Sequence, residues 1–327
     1  MNYRMITYIL GWILLFEGMF LAVPSITALA FGESALWTYL LSASVCLLIG
    51  SLLILKKPEK RQLYAREGCV IVSLSWIVLS AFGALPFYLS GEIPNFIDAL
   101  FESVSGFTTT GASILSDVEA ISHASRMWRS FTHWVGGMGV LVFIMAFIPL
   151  SGGQNMHIMK AESPGPSVSK LVPRVKTTAM LLYSIYLVLT TIEFVMLLFG
   201  GMTVYEALNT SFATGGTGGF GFYNSSMGSF SPYIQIVITV FMLLFSVNFN
   251  CYFLLLTRKI KDAFNLEMRT FFIIYTAATL LITFNIAGQF SSTGEALRHS
   301  AFTVASIMST KSEGQAVLGR QNCTATP

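Results

Sequence analysis

Long apolar stretches that carry almost no charge recur along this chain, and they restrict what it can fold into. A bilayer core about 30 Å thick is crossed by roughly 20 helical residues. In hydrocarbon every backbone N–H and C=O must be satisfied within the segment, which favours helices. The sequence is 54% hydrophobic and 11% charged, whereas soluble domains carry about 25% charged residues. The pattern predicts an all-α integral membrane protein with spans at 5–30, 35–55, 69–90, 127–150, 177–200, 231–257 and 270–289.

Positive charge predicts the orientation of these spans. Lys and Arg gather in the connectors 56–66, 157–176 and 258–269, and such loops lie on the cytoplasmic side. The N-terminus, with Arg4, is then cytoplasmic as well. The first apolar stretch is longer than the core of a secretory signal, about 7 to 15 residues, so it is expected to stay as a helix. The net charge of +3 is too small to indicate nucleic-acid binding.

No constellation in the sequence indicates catalysis or a metal centre. Membrane enzymes need clustered His, Asp and Glu or a Ser and Lys pair near an interface, and none is visible. We therefore expect no enzyme activity and no metal beyond a transported ion. The cysteines and histidines are too scattered for ligand spacing: Cys46, Cys69, Cys251, Cys323, His123, His133, His157 and His299.

Three outer segments share one plan. Each combines a short amphipathic stretch, too brief to cross a bilayer, with a run of Thr and small residues: "TTTGAS" (108–113), "GTGGFG" (216–221) and "STKSEG" (309–314). Matching Ala99 with Ala207 and Ser300 aligns Thr109 with Thr217 and Thr310 ten residues later. The successive spacings of 108 and 93 residues predict a repeated unit of helix, re-entrant half-helix, Thr/Gly loop and helix.

Such loops have a physical use at membrane depth. Non-helical backbone is tolerated there only where it is buried in protein or lines a watery cavity. Glycine lets successive carbonyls point one way, and carbonyls in that arrangement replace the hydration shell of a monovalent cation. The C-terminus of each half-helix would add about half a negative charge near the axis. The loops therefore favour a cation path.

Four segments carry a family resemblance: "DALFESVSGFTTTGAS", "MWRSFTHWVGGMGVLVF", "YEALNTSFATGGTGGFG" and "EALRHSAFTVASIMST". They resemble the membrane subunit of bacterial Trk/Ktr-type potassium uptake systems, in the superfamily that includes plant high-affinity potassium transporters. The resemblance covers about residues 1 to 310. It implies a leading helix pair followed by membrane-pore-membrane repeats around one central path, in the bacterial cytoplasmic (inner) membrane.

The resemblance also implies partners and a domain plan. It implies a homodimer in membrane lipid and a cytoplasmic regulatory subunit that binds the nucleotide, so that this chain carries no cofactor and potassium is its substrate. The predicted units are a leading two-helix unit at 1–60, a first pore repeat at 61–160, a second at 161–262, an incomplete third at 263–310, and an aberrant polar tail, expected to be disordered, at 311–327.

Carried over by motif, the resemblance implies a potassium filter at Thr108, Thr109, Thr110, Gly111, Thr217, Gly218, Gly219 and Thr310. Which glycine of the second repeat matches Gly111 is open by one position, and the alignment favours Gly219. Asn248 and Asn250 are candidates to line the inner pore. They cannot share a helical face at a spacing of two, so one is expected to be structural.

The third repeat departs from the family pattern. The family continues Ser-Thr-Thr-Gly-Phe, whereas this chain runs Ser309-Thr310-Lys311-Ser312-Glu313 and carries no fourth repeat. A Lys ammonium repels cations, and two and a half repeats cannot close a four-sided pore. The change suggests a frameshift or alternative termination. The leading hypothesis is a potassium-conducting subunit, and the alternative is a non-conducting truncated remnant. A membrane enzyme and an inverted-repeat transporter fit the sequence less well.

Two further motifs allow more than one interpretation. "GTGGFG" satisfies a dinucleotide fingerprint in form, but no strand precedes it and no acidic residue follows at the required distance. "GGMG" (136–139) is expected to let helices approach closely. Four outer acids either concentrate cations at the mouth or form ordinary wet surface: Asp98, Glu102, Asp117 and Glu119.

Overall fold

The computed structural model describes residues 2–55, 58, 65–139, 175–256 and 258–309, with the backbone alone at 65, 175–179 and 250. Every regular element in these ranges is a helix. The α-helices are α1 (Tyr3–Phe20), α2 (Ala22–Phe31), α3 (Leu36–Ile54), α4 (Ala65–Gly83), α5 (Leu85–Leu89), α6 (Phe96–Phe107), α7 (His123–Gly137), α8 (Val175–Phe199), α9 (Val204–Gly215), α10 (Pro232–Ser246), α11 (Phe249–Leu256), α12 (Ile260–Ala263), α13 (Leu266–Ile286) and α14 (Thr293–Met308). A 3₁₀ turn, Ala287–Gln289, follows α13.

Five helical stretches are long and apolar enough to cross a membrane: Tyr3–Phe31, Leu36–Ile54, Arg66–Leu89, Met180–Phe199 and Leu266–Gln289. They match five of the seven predicted spans, so the prediction of an all-α membrane protein is confirmed. Their large apolar side chains, such as Trp37 and Phe284, are exposed on the protein surface. That surface suits a hydrocarbon solvent.

Neither of the other two predicted spans is a continuous helix among the described residues. In the described part of the span predicted at 127–150, α7 ends at Gly137 and Gly139 takes a left-handed conformation (φ 76); residues 140–150 lie outside the described part, so the length of this span stays a prediction. The span predicted at 231–257 is broken at Val247, where the backbone is extended (ψ 137). Helices α7 and α10 each have 15 residues and rise about 22 Å, so neither crosses a bilayer alone.

The leading pair, α1 and α3, packs through glycines. A Cβ added at Gly50 would lie 2.8 Å from the carbonyl oxygen of Gly11, and one added at Gly18 would lie 2.8 Å from Leu47 Cγ. Small residues let two membrane helices approach until their backbones touch. The pair is therefore held by close backbone contact along its length.

The remaining helices follow one packing order. The short helices α6, α9 and α14 each pack against the long helix that precedes them, respectively α4, α8 and α13. Between them stand the 15-residue helices: α7 contacts both α6 and α9, and α10 contacts both α9 and α14. Helices α6, α7, α9, α10 and α14 thus lie side by side in that order. The three short helices α6, α9 and α14 alternate with the two 15-residue helices.

Helix boundaries reproduce the spacing of the sequence alignment. Helices α6 and α9 have 12 residues each and end at C-caps Thr108 and Gly216, and the longer α14 ends at the aligned Ser309. Ser122 and Ser231 both cap the following 15-residue helix, each accepting a hydrogen bond from the third residue beyond it. The alignment of the three outer segments is confirmed.

The α1–α3 contact generates a prediction. We expect Gly50→Val to lower the free energy of unfolding by about 1–3 kcal/mol, because an isopropyl group must enter a space filled by Gly11 and Leu15. Thermal unfolding of the detergent-solubilised protein measures this effect. The matched control is Ser51→Val, one residue along on the exposed face, where little change is expected; equal losses from both variants would contradict the packing.

Candidate functional site

The loop after α6 directs its peptide carbonyls away from that helix. The amide of Thr109 donates to Gly106 O (3.1 Å), and the amide of Thr110 donates to Ser105 O (2.9 Å). All described peptide bonds are trans, so the C=O of each peptide points opposite to its N–H. The carbonyls of Thr108 and Thr109 therefore both point away from α6. Consecutive acceptors face one direction, which an ordinary strand cannot achieve because its carbonyls alternate.

The Thr/Gly loops of the first two repeats share one conformational pattern. Thr109 (φ 55) and Gly111 (φ 73) are left-handed, and in the second repeat Thr217 (φ 55) and Gly219 (φ 87) are left-handed. Gly218 lies between them without a positive φ. The counterpart of Gly111 is therefore Gly219, which settles the alternative that the sequence left open. A β-branched residue in this region is uncommon, so its recurrence at Thr109 and Thr217 marks a specialised loop.

Hydroxyl groups anchor the first loop from the side. Thr108 Oγ1 donates to Val104 O (2.7 Å) and lies 2.8 Å from Thr110 Oγ1. Since the single hydroxyl proton of Thr108 is used on Val104, the Thr110 hydroxyl is the donor to Thr108. Both threonine side chains are thereby tied to the end of α6.

The last turn of α7 lies between the two loops. A Cβ at Gly136 would overlap the Phe107 carbonyl oxygen and lie 3.0 Å from Thr109 Cγ2. A Cβ at Gly137 would lie 2.8 Å from Gly216 Cα. The expected close packing of the "GGMG" glycines is confirmed, and its partners are the loops themselves. One helix end thus contacts both loops.

His133 connects the same two loops from one turn earlier on α7. Its Nδ1 donates to Gly106 O (2.8 Å), and its ring stacks on Phe220 (4.1 Å between centroids, 15°). A carbonyl only accepts, so Nδ1 carries the proton. A Cβ at Gly218 would overlap this imidazole. Gly218 is therefore required for space, whereas Gly219 is required for its backbone conformation.

Sequence reasoning missed His133, because it was considered only as a metal ligand. The signal was its register: Arg129, His133, Gly136 and Gly137 fall on one face of α7 at helical spacing. That face carries the polar and small residues of the helix that contact the loops.

Glu102 is not an acid of the outer mouth. It is 1% exposed, and its Oε1 accepts a hydrogen bond from Arg129 Nε at 2.7 Å. Ser113 Oγ (2.9 Å) and the Ile114 amide (3.1 Å) also donate to this carboxylate. Its charge is compensated inside the protein. Neither of the two interpretations given to Glu102 therefore fits, because the carboxylate does not face external cations and is not part of the solvated surface.

The outer loops of the first two repeats are joined through Asn224. Its side-chain amide donates to Asp117 Oδ1 (2.7 Å), its side-chain oxygen accepts from the Val118 amide (3.0 Å), and its own amide donates to Glu119 Oε1 (2.9 Å). The hydrogen bond from Asn224 lowers the pKa of Asp117 below its ordinary value. Both acids are exposed, so their charge faces solvent.

Of the other predicted residues, the structure describes Asn248 and the backbone of Asn250 and does not describe Thr310. Asn248 lies at the break between α10 and α11, beside a cavity of about 60 Å³ that Ser246, Cys251 and Glu267 also line. Asn250 belongs to α11, and its side chain is outside the described part. Thr310 and residues 311–327 also lie outside it. The roles assigned to these residues stay predictions.

The fold and these loops define a pore-loop membrane protein, in which short helices end in Thr/Gly loops between longer apolar helices. The chain belongs to the TrkH family of cation transport proteins, whose sequence pattern matches residues 39–317.

Individual relatives support this family membership. The chain is 37% identical over 322 residues to the Trk system potassium uptake protein TrkH of Escherichia coli K12, covering 95% of this chain and 66% of that protein. It is 31% identical to TrkG of the same organism, covering 93% and 64%. The crystal structure of the potassium transporter TrkH from Vibrio parahaemolyticus superposes with a TM-score of 0.81 at 30% identity, covering 94% and 64%. The chain therefore spans about two thirds of these relatives.

The separate roles of the two glycines can be tested. We expect Gly219→Ala to cost about 1–2 kcal/mol of folding free energy through its left-handed backbone, and Gly218→Ala to cost a similar amount through contact with His133. Only the second loss should shrink when His133 is replaced by Ser, which makes room for the new methyl group. Thermal unfolding of the three single and two double variants in detergent measures the coupling. Equal coupling of both glycines to His133 would contradict the assignment.

Proposed function

We propose that this chain is the transmembrane subunit of a Trk/Ktr-type system and takes up potassium across the bacterial cytoplasmic membrane through a carbonyl-lined filter. The observation that carries the proposal is the capture of the Thr109 and Thr110 amides by the end of α6, which turns successive carbonyls the same way. Oxygens in that arrangement replace the hydration shell of a potassium ion. The left-handed pair Thr217 and Gly219 supports the same role in the second repeat.

Energetics favour a monovalent cation here. The filter loops contain no charged side chain, and nearby Arg129 is paired with Glu102. The C-terminal ends of α6 and α9 each supply about half a negative charge, which attracts a cation without holding it too tightly to leave. A membrane potential contributes about 2.3 kcal/mol per charge per 100 mV. Uptake then needs no catalytic residue and no cofactor in this chain.

The proposal includes the setting of the subunit. We infer a multi-pass protein of the inner membrane with a cytoplasmic N-terminus, because Lys and Arg are concentrated in the connectors on that side. We also infer a homodimer in membrane lipid and a cytoplasmic nucleotide-binding regulatory subunit. The relationship to Trk system proteins supports these partners, and nothing in the charge of the chain supports nucleic acid.

One observation favours the alternative, a non-conducting remnant. On α9, Phe212 packs against Phe131 of the neighbouring helix α7 (5.3 Å between centroids). The aligned face of α6 is uncovered by the described residues: Ile97 is 66% exposed and Phe101 46%. Among the described residues, no helix covers this face of α6 as α7 covers Phe212 of α9.

Complementation tests the function. We expect the chain to restore growth at low external potassium in a bacterium that lacks potassium uptake, and Gly111→Ser to abolish that growth, because a side chain at a left-handed position disturbs the filter carbonyls. Growth rate and rubidium tracer uptake are the measurements. Ala112→Ser, one residue further along, is the matched control and should keep uptake.

The outcomes separate the two candidates. Growth that survives Gly111→Ser would refute the filter at this loop. Absence of growth from a chain that inserts normally, followed by rescue on co-expression of the remaining C-terminal third of a TrkH relative, would favour the alternative. That rescue would show that the uncovered face of α6 needs an added helix.

A further inference from the structure

We propose that Arg129 is a positioning residue that sets cation selectivity by fixing the distance between the first and second filter loops. The inference deepens the proposed function and rests on it. The group consists of Arg129, Glu102, Ser113, Phe220 and Gly221, and we refer to it as the Arg129 clamp. Arg129 itself is 2% exposed and does not line the path.

One guanidinium contacts both loops. On the side of the first repeat, Nε donates to Glu102 Oε1 (2.7 Å) and Nη2 donates to Ser113 Oγ (3.1 Å). On the side of the second repeat, Nη1 donates to Gly221 O (3.2 Å), and the guanidinium carbon lies 4.1 Å from the centre of the Phe220 ring. A rigid planar fork thus joins two chain segments that are about a hundred residues apart in sequence.

The joined points are equivalent in the two repeats. Ser113 lies two residues after Gly111, and Gly221 lies two residues after Gly219. Each is thus separated by one residue from the left-handed glycine that ends its filter loop. A change in the length or angle of the clamp is therefore transmitted to the two filter loops at matching positions.

The clamp acts by geometry and not by its charge. Glu102 compensates Arg129 at hydrogen-bond distance, and both side chains are buried. A compensated pair exerts little net field on an ion in the path. A fork geometry with parallel donors is specific to Arg, whereas Lys offers a single point charge. Replacement by Lys therefore separates position from charge.

The corresponding place in the next repeat has no such pair. Spacing of the second helices puts Ile238 of α10 where α7 has Arg129, and spacing of the short helices puts Thr210 where α6 has Glu102. Both are fully buried. The junction between the second and third repeats is thus held by apolar packing, which tolerates small shifts. The junction between the first and second repeats is the one with a directional clamp among the described residues.

The test measures ion preference. We expect Arg129→Lys to lower the ratio of potassium to sodium transport by about fivefold, the factor that one lost hydrogen bond is worth, with total cation uptake retained. A second variant, Arg129→Met with Glu102→Gln, removes both charges together, so that no charge is left buried alone, and should lower the ratio similarly. The matched control is Arg298→Gln, which removes an arginine of α14 from a partly exposed pair with Glu295 (4.0 Å) and should leave the ratio unchanged.

A binding measurement accompanies transport. The melting temperature of the purified protein in detergent is recorded against potassium and sodium concentration, since a cation that binds the folded state raises it. For the clamp variants we expect the potassium response to approach the sodium response. Unchanged ion preference, or an equal loss of both ions at an unchanged ratio, would overturn the inference and leave Arg129 a structural residue. A parent chain with no potassium response would refute the filter itself, and the clamp with it.

Discussion

A trans peptide cannot turn its N–H and its C=O to the same side, and this constraint organises the site. The end of α6 accepts the amides of Thr109 and Thr110, so the opposite edges of those peptides present oxygen alone. The acceptors are consecutive because the chain twists left-handed at every second residue, at Thr109 and Gly111. Everything around the loop serves to keep these amides in place: the threonine hydroxyls from one side, and α7 from the other.

Helix α7 differs in character from its counterpart α10, although the two have equal length and equivalent caps. The face of α7 toward the loops carries Arg129, His133 and two glycines, whereas the aligned face of α10 begins with Ile238 and Met242, which are buried and apolar. Polar groups with fixed hydrogen-bond directions hold a neighbour at one distance, while apolar packing specifies the distance less sharply. The repeats therefore share a backbone plan but not the same stiffness at their junctions.

Sequence patterns predicted much of this fold, and physical reasons explain what they missed. Five long helices and the aligned ends of α6, α9 and α14 follow from hydrophobic length and from repeated Thr/Gly motifs. The ends of α7 at Gly137 and of α10 at Ser246 were not predicted, because apolar residues continue through both breaks. The Arg129–Glu102 pair joins residues 27 positions apart, beyond the reach of any local period. The side-chain conflict between Gly218 and His133 likewise exists only in three dimensions.

The left-handed threonines have a consequence for the loops as mechanical objects. Each L-residue held in this region stores about 1–2 kcal/mol, and Thr109 and Thr217 both do so; in the first loop the neighbouring carbonyls also point the same way. Without a cation, repulsion between the carbonyl oxygens adds to the backbone strain of such a loop. A cation among those oxygens relieves the repulsion. The transported ion would therefore also stabilise the conformation of the loop, and that conformation would depend on which ion passes through it.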